Sequence, residues 1–149
     1  MRDRRFSRLP RGLTLHQAVV AMTPRRVLIA EDNGDLRQML GAMLQRDGYE
    51  VIEVEDGDQL IEYLGLALAN DGAEPPDVII SDIRMPGFSG LDMLAGLRRA
   101  EVETPVILIT GFGDDETHTE ARRLGAAAVF NKPFELDDLR TAVLNLTKA

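Results

Sequence analysis

The chain has 149 residues, 44% hydrophobic and 28% charged, with a net charge of −8 and no cysteine; that is enough for one domain with a real core, and it is not a disordered composition. Lack of cysteine excludes a disulfide framework and a thiolate metal site, and no apolar run approaches the ~20 residues of a membrane-spanning helix. Five arginines against Asp3 give residues 1–24 a charge of +4, and the total of −8 then leaves −12 on the remainder, an acidic body that repels nucleic acid and membrane surfaces and suits cations and basic protein partners.

Residues 1–24 form a basic N-terminal extension. MRDRRFSRLPRG is basic and turn-rich, and LTLHQAVVAM has the composition of a short helix. Its apolar part is short and broken by His16 and Gln17, which argues against a secretory signal. The expectation is a disordered tail or a mis-assigned start ahead of Met22, with a basic arm touching nucleic acid or acidic protein as the alternative.

From residue 25 to 149 strands and helices alternate five times. VLIA (27–30) is a continuous apolar run, as in a strand covered on both faces. Asn33 is placed to cap a helix whose apolar residues Leu36, Met39, Leu40, Met43 and Leu44 share one face, the methionines as core packing. Gly48 closes it. Glu50–Val54 interleaves acids with aliphatic residues, the mark of an edge strand, and Leu60, Ile61, Leu64 and Leu68 mark a second helix. Asn70–Pro76 is a turn-rich connection into a third strand, Val78–Asp82. Ser89 is placed to cap a third helix through Leu91, Leu94 and Ala95. Pro105 opens a fourth strand, Val106–Thr110, and a highly charged helix, Asp114–Leu124, ends at Gly125. Ala126–Asn131 is a fifth strand, and Leu136, Leu139, Val143 and Leu146 belong to a final helix. This order predicts parallel βαβ units in a flavodoxin-like α/β doubly wound sheet, strand order 2-1-3-4-5, with a switch point between the first and third strands.

The polar residues of interest all end apolar runs. Glu31 and Asp32 follow VLIA, Asp82 follows VIIS, Thr110 follows VILI, and Lys132–Pro133 follows AVFN. Open α/β sheets bind ligands at that edge. Three converging carboxylates repel one another, which raises some of their pKa values unless a cation neutralises them. Oxygen-only ligands in an open site suit Mg²⁺. A carboxylate can attack phosphorus and form an aspartyl phosphate; Lys132 can hold a phosphoryl oxygen as a point charge, and Thr110 can donate its hydroxyl to another. The Met-Pro-Gly turn after Asp82 can bring a backbone carbonyl, that of Arg84, towards the metal. Taken singly, each residue has a plainer explanation: Glu31–Asp32 at a helix dipole, Asp82 in a turn, Lys132 on a solvated surface. Their convergence on one sheet edge outweighs these. His16 and His118 carry no such signal, and His118 is expected on a solvated helix face. No GxxxxGK[ST] or GxGxxG loop is present.

Together AEDN, SDIRMPGFSG, ILITG and FNKPF resemble the receiver domain of two-component response regulators over roughly Arg25 to Lys148. The resemblance implies that Asp82 is the phosphoacceptor, that Glu31, Asp32, Asp82 and the Arg84 carbonyl bind Mg²⁺, that Thr110 is the switch hydroxyl, and that Lys132 contacts the phosphoryl group. It also implies a cis peptide between Lys132 and Pro133. Arg84 and Phe112, each two residues after a site residue, are expected to shield the phosphate from water. The partners implied are a histidine kinase or histidine phosphotransfer protein and a downstream protein docking on the fourth helix–fifth strand–fifth helix face. A cytoplasmic, stand-alone receiver is expected, monomeric or dimerising on phosphorylation, that is not an enzyme beyond assisting its own phosphorylation and dephosphorylation.

The family pattern is broken in two places. The acidic pair is Glu-Asp, and the position three before the lysine, usually a switch aromatic, is Val129, with Phe130 pointing to the opposite side of the strand. Competing readings are a protein-interaction module that never takes phosphate, for which Val129 leaves room, and a flavodoxin-like enzyme or nucleotide binder, for which no cofactor loop is evident.

Overall fold

The computed structural model describes residues 12, 14, 15, 23–111 and 114–148; His16, Met22 and Phe112 lie outside these. From residue 26 on, among the described residues, five strands and five helices alternate: β1 (Arg26–Ala30), α1 (Gly34–Arg46), β2 (Glu50–Val54), α2 (Gly57–Leu68), β3 (Val78–Asp82), α3 (Gly90–Arg99), β4 (Val106–Thr110), α4 (Asp115–Arg123), β5 (Ala128–Asn131) and α5 (Leu136–Leu146). The sheet is wholly parallel in the order β2-β1-β3-β4-β5, so β2 is an edge strand and the flavodoxin-like doubly wound topology is as the alternation predicts.

Two cores flank the sheet because β1, β3 and β4 are apolar on both faces. On one face Val27, Ile29, Ile80 and Ile107 meet Leu40 and Leu44 of α1 and Leu139 and Val143 of α5. On the other, Leu28, Ile79 and Leu108 meet Leu60 and Leu64 of α2, Leu94 and Leu97 of α3 and Ala121 of α4. All of these side chains are buried.

Local chemistry starts and stops the helices where expected. Asn33, Ser89 and Asp114 each accept a hydrogen bond from the backbone N–H three residues on, at 3.1, 3.1 and 2.8 Å, which satisfies a donor the helix leaves unpaired. Gly48 and Gly125, both at positive φ, follow the ends of α1 and α4. The fifth strand begins at Ala128, two residues later than the sequence suggests.

One packing expectation fails. Met39 is half exposed, whereas Met43 packs against the α1–α5 core. The buried stripe of α1 is centred on Leu40, Gly41 and Leu44, and successive helical residues turn by about 100°, which carries Met39 round to solvent.

Candidate functional site

The sheet register assembles the site. Ala30 pairs with Ser81 across β1 and β3, so Glu31, the residue just past β1, and Asp82, the last residue of β3, stand side by side at the sheet edge. Asp82 pairs with Ile109, which sets Thr110 just beyond it, and Thr110 pairs with Asn131. The Lys132 amide then donates to the Thr110 carbonyl at 2.8 Å. The peptide between Lys132 and Pro133 is cis.

These backbones bring the charged side chains into contact. Lys132 Nζ donates to Asp82 Oδ2 at 2.6 Å and lies 2.6 Å from Glu31 Oε1. The second contact is an ion pair, and Glu31 Oε1 is buried without a hydrogen bond. Glu31 and Asp82 are only 1% and 5% exposed, while Asp32 is open to solvent. Carboxylate oxygens of all three acids lie within 4.8 Å of one another. Burial, followed by the charge of Asp82, pushes the Glu31 carboxyl up to about 7 against the pull of Lys132. Burial alone would lower the Lys132 ammonium, but the adjacent Asp82 and Glu31 carboxylates outweigh that and raise it. Repulsion among the acids was the cause expected for a raised carboxylate; desolvation proves the larger one.

The donor set fits a hard divalent cation: oxygen only, two buried carboxylates and one exposed, with one buried oxygen short of a hydrogen bond. Arg84 is in the same loop, its amide donating to Asp82 Oδ1 at 3.0 Å.

Residues 27–144 match the response regulator receiver domain over most of the chain. The chain belongs to that family. The receiver is 36% identical over 118 residues to the regulatory protein AtoC of Escherichia coli, covering 79% of this chain and 24% of that protein. It is 36% identical to the transcriptional regulatory protein PdtaR of Mycobacterium tuberculosis, covering 83% of this chain and 57% of PdtaR. It is 28% identical to sporulation initiation phosphotransferase F of Bacillus subtilis, covering 82% of this chain and 93% of that protein. The chain thus spans only part of the first two. Among solved structures, the receiver domain of Francisella response regulator 1452 superposes with a TM-score of 0.73 at 26% identity, covering 82% of this chain and 95% of that one. A response regulator receiver domain protein from Clostridium thermocellum gives 0.69 at 30% identity, with coverages of 82% and 93%.

Two glycines to which the sequence reading gave no role, Gly57 and the Gly90 that closes SDIRMPGFSG, shape the receiver's site. A Cβ on Gly90, the first residue of α3, would stand 2.6 Å from the Asp82 carbonyl and 3.1 Å from Ser81 Oγ. A Cβ on Gly57, the first residue of α2, would collide with the Phe88 backbone, and the Gly57 amide donates to the Pro86 carbonyl at 2.9 Å. Both helices can therefore press on the loop that follows Asp82. The visible signal was a glycine immediately after a capping residue, at Asp56-Gly57 and Ser89-Gly90.

The edge away from β2 departs from expectation at one residue. Thr110 is buried. Val129 packs with the core that includes α3 and α4, whereas Phe130 packs on the α1–α5 side against Phe134, ring centroids 5.9 Å apart. The aromatic beside the usual position thus points away, as the strand period requires. His118 is not simply solvated: its Nε2 lies 2.9 Å from Asn131 Oδ1, tying α4 to the end of β5, because that side chain alternates onto the α4 face. Among the described residues no helix is long and apolar enough to cross a membrane.

Proposed function

We propose that this receiver accepts a phosphoryl group on Asp82 from a histidine kinase or histidine phosphotransfer protein and thereby switches a protein-docking face in a phosphorelay. The observation that carries the reading is Lys132 Nζ at 2.6 Å from both Asp82 Oδ2 and Glu31 Oε1, a positive charge bridging the acceptor and a neighbouring acid. In the transfer an Asp82 oxygen bonds to phosphorus as the bond from phosphorus to the donor's imidazole nitrogen breaks, and the electron pair stays on the imidazole. Lys132 then pairs with a phosphoryl oxygen in place of the carboxylate, and Thr110 donates its hydroxyl to another.

Glu31, Asp32 and Asp82, with the Arg84 carbonyl, would hold Mg²⁺. That ion would supply charge to offset the phosphoryl oxygens. Arg84 and Phe112 shield the phosphate. The domain is taken as residues 25–149 behind the basic extension 1–24, acting in the cytoplasm, monomeric or dimerising on phosphorylation, with α4, β5 and α5 as the docking face. The named phosphotransferase of Bacillus subtilis, whose length the chain nearly spans, supports a receiver acting without an output domain. The longer AtoC and PdtaR make a larger regulator the alternative.

Intact mass after incubation with Mg²⁺ and acetyl phosphate or phosphoramidate tests the reading, wild type beside Asp82→Ala. A phosphate-sized, Mg²⁺-dependent gain confined to the wild type is expected. No gain from these donors or from phosphorylated histidine phosphotransfer proteins would leave the interaction-module reading.

A further inference from the structure

Arg37 lies one turn into α1, outside every motif of the site, yet its side chain is only 11% exposed. Its Nη1 donates to the backbone carbonyl of Glu31 at 2.8 Å. Its Nε lies 3.4 Å from Glu53 Oε1 on β2, and its Nη2 lies 3.5 Å from Glu55 Oε1 just past the strand. A planar guanidinium presents fixed donors to several acceptors at once, which a lysine ammonium does not.

The surroundings are arranged to admit this contact. Gly41, one turn further along α1, is buried, and a Cβ there would stand 3.1 Å from Glu53 Oε2. A glycine inside a helix costs about 1 kcal/mol relative to alanine; here it makes room for the Glu53 carboxylate beside Arg37. The Glu31 amide is held in turn by the Val54 carbonyl at 3.2 Å. Both polar groups of the Glu31 backbone are thus tied, one to β2 directly and the other through a guanidinium anchored there.

We propose that Arg37 is a positioning residue of the metal site: by clamping the Glu31 carbonyl to the acidic edge of β2 it fixes where the Glu31 and Asp32 carboxylates stand. The inference rests on the assignment of those acids to Mg²⁺. Groups that orient metal ligands without touching the ion typically set affinity by about 10- to 100-fold.

The sign of the effect distinguishes positioning from simple charge. A cation near the site repels Mg²⁺, so if Arg37 acted only through its charge, removing it would tighten binding. If it positions the acids, removing it weakens binding despite the lost repulsion. The test is calorimetric Mg²⁺ titration of the full chain at pH 8, comparing wild type, Arg37→Gln and Arg37→Lys, with urea unfolding in EDTA to show that each is folded. Arg37→Gln is expected to bind Mg²⁺ about tenfold more weakly. Arg37→Lys, which keeps the charge but loses the fork, should also bind Mg²⁺ more weakly while remaining folded. Unchanged or tighter binding in folded Arg37→Gln and Arg37→Lys would overturn the proposal. A wild type that binds no Mg²⁺ would instead overturn the metal assignment on which it rests.

Discussion

The Lys132 ammonium lies 2.6 Å from Oδ2 of Asp82, fifty positions earlier in the chain, and the same nitrogen reaches Glu31. Three strands therefore end on one charge. Because the two acids are buried, the lysine is what makes their ionised forms tolerable without a metal. Lys132→Met should destabilise the metal-free protein at pH 8 by roughly 2 kcal/mol, less than a fully buried pair because the lysine is partly exposed. It should also slow phosphorylation by acetyl phosphate by about 100-fold or more. Urea unfolding in EDTA and timed intact-mass measurements check the two effects.

Glu31 gives the metal-free protein a defined pH dependence. Its folded carboxyl, at about 7, lies above the ordinary value of 4.5, so the folded state holds its proton more tightly than the unfolded state. The associated stability is fully present below pH ~4.5, declines as pH rises through about 7, and is gone above it. The fall should be on the order of 2 kcal/mol between pH 5 and 8 in EDTA. Glu31→Gln should flatten it. Since metal binding must expel that proton, Mg²⁺ affinity should climb as pH rises to about 7 and level off beyond.

Close packing around the Asp82 loop predicts two intolerant glycines. Gly90→Ala forces a methyl against the Asp82 carbonyl and should cost about 2–3 kcal/mol. Gly57→Ala meets backbone at Phe88 and should cost at least as much. Gly65→Ala, where nothing lies within 4 Å of the added methyl, is the matched control, expected to raise stability slightly through helix propensity. Thermal midpoints of the three variants decide this.

Phe130 offers a test of strand direction. Its ring packs on Phe134 on the face opposite Val129. Phe130→Ala should lower stability by roughly 2 kcal/mol while leaving the extent of Asp82 phosphorylation unchanged. A loss of phosphorylation in a still-folded variant would mean that the ring communicates with the site after all.

Arg84, whose amide donates to Asp82 Oδ1, stands beside the proposed acceptor. Arg84→Ala and Phe112→Ala should each shorten the life of the phosphoryl group several-fold, read as the decay of the phosphorylated mass after the donor is removed. Equal half-lives would dismiss the shielding idea.

The alternation of strands and helices and the convergence of Glu31, Asp82, Thr110 and Lys132 were legible because each residue closes an apolar run, and parallel topology sends every such end to one edge. What escaped depended on approach between elements distant in sequence. Nothing around Arg37 points to a carbonyl six residues back, to Glu53 on β2 or to Glu55 just past it. Gly57 and Gly90 look like ordinary helix starts until the loop packed against them is seen. Met39 fitted a five-residue apolar face wider than the buried stripe of α1, and His118 found Asn131 only because α4 covers the end of β5.

The two margins of the sheet have a bearing on assembly. At one, β2 carries Glu50 and Glu53, both exposed, with Glu50 Oε2 receiving Arg26 Nη2 at 3.0 Å. At the other, β5 is only four residues long. Charge on one margin and brevity on the other are the usual protections against strand-to-strand recruitment between molecules. Copies of this chain should therefore stay apart through their open strand edges even when crowded, which leaves side-chain surfaces, not unpaired backbone, for a visiting protein to contact.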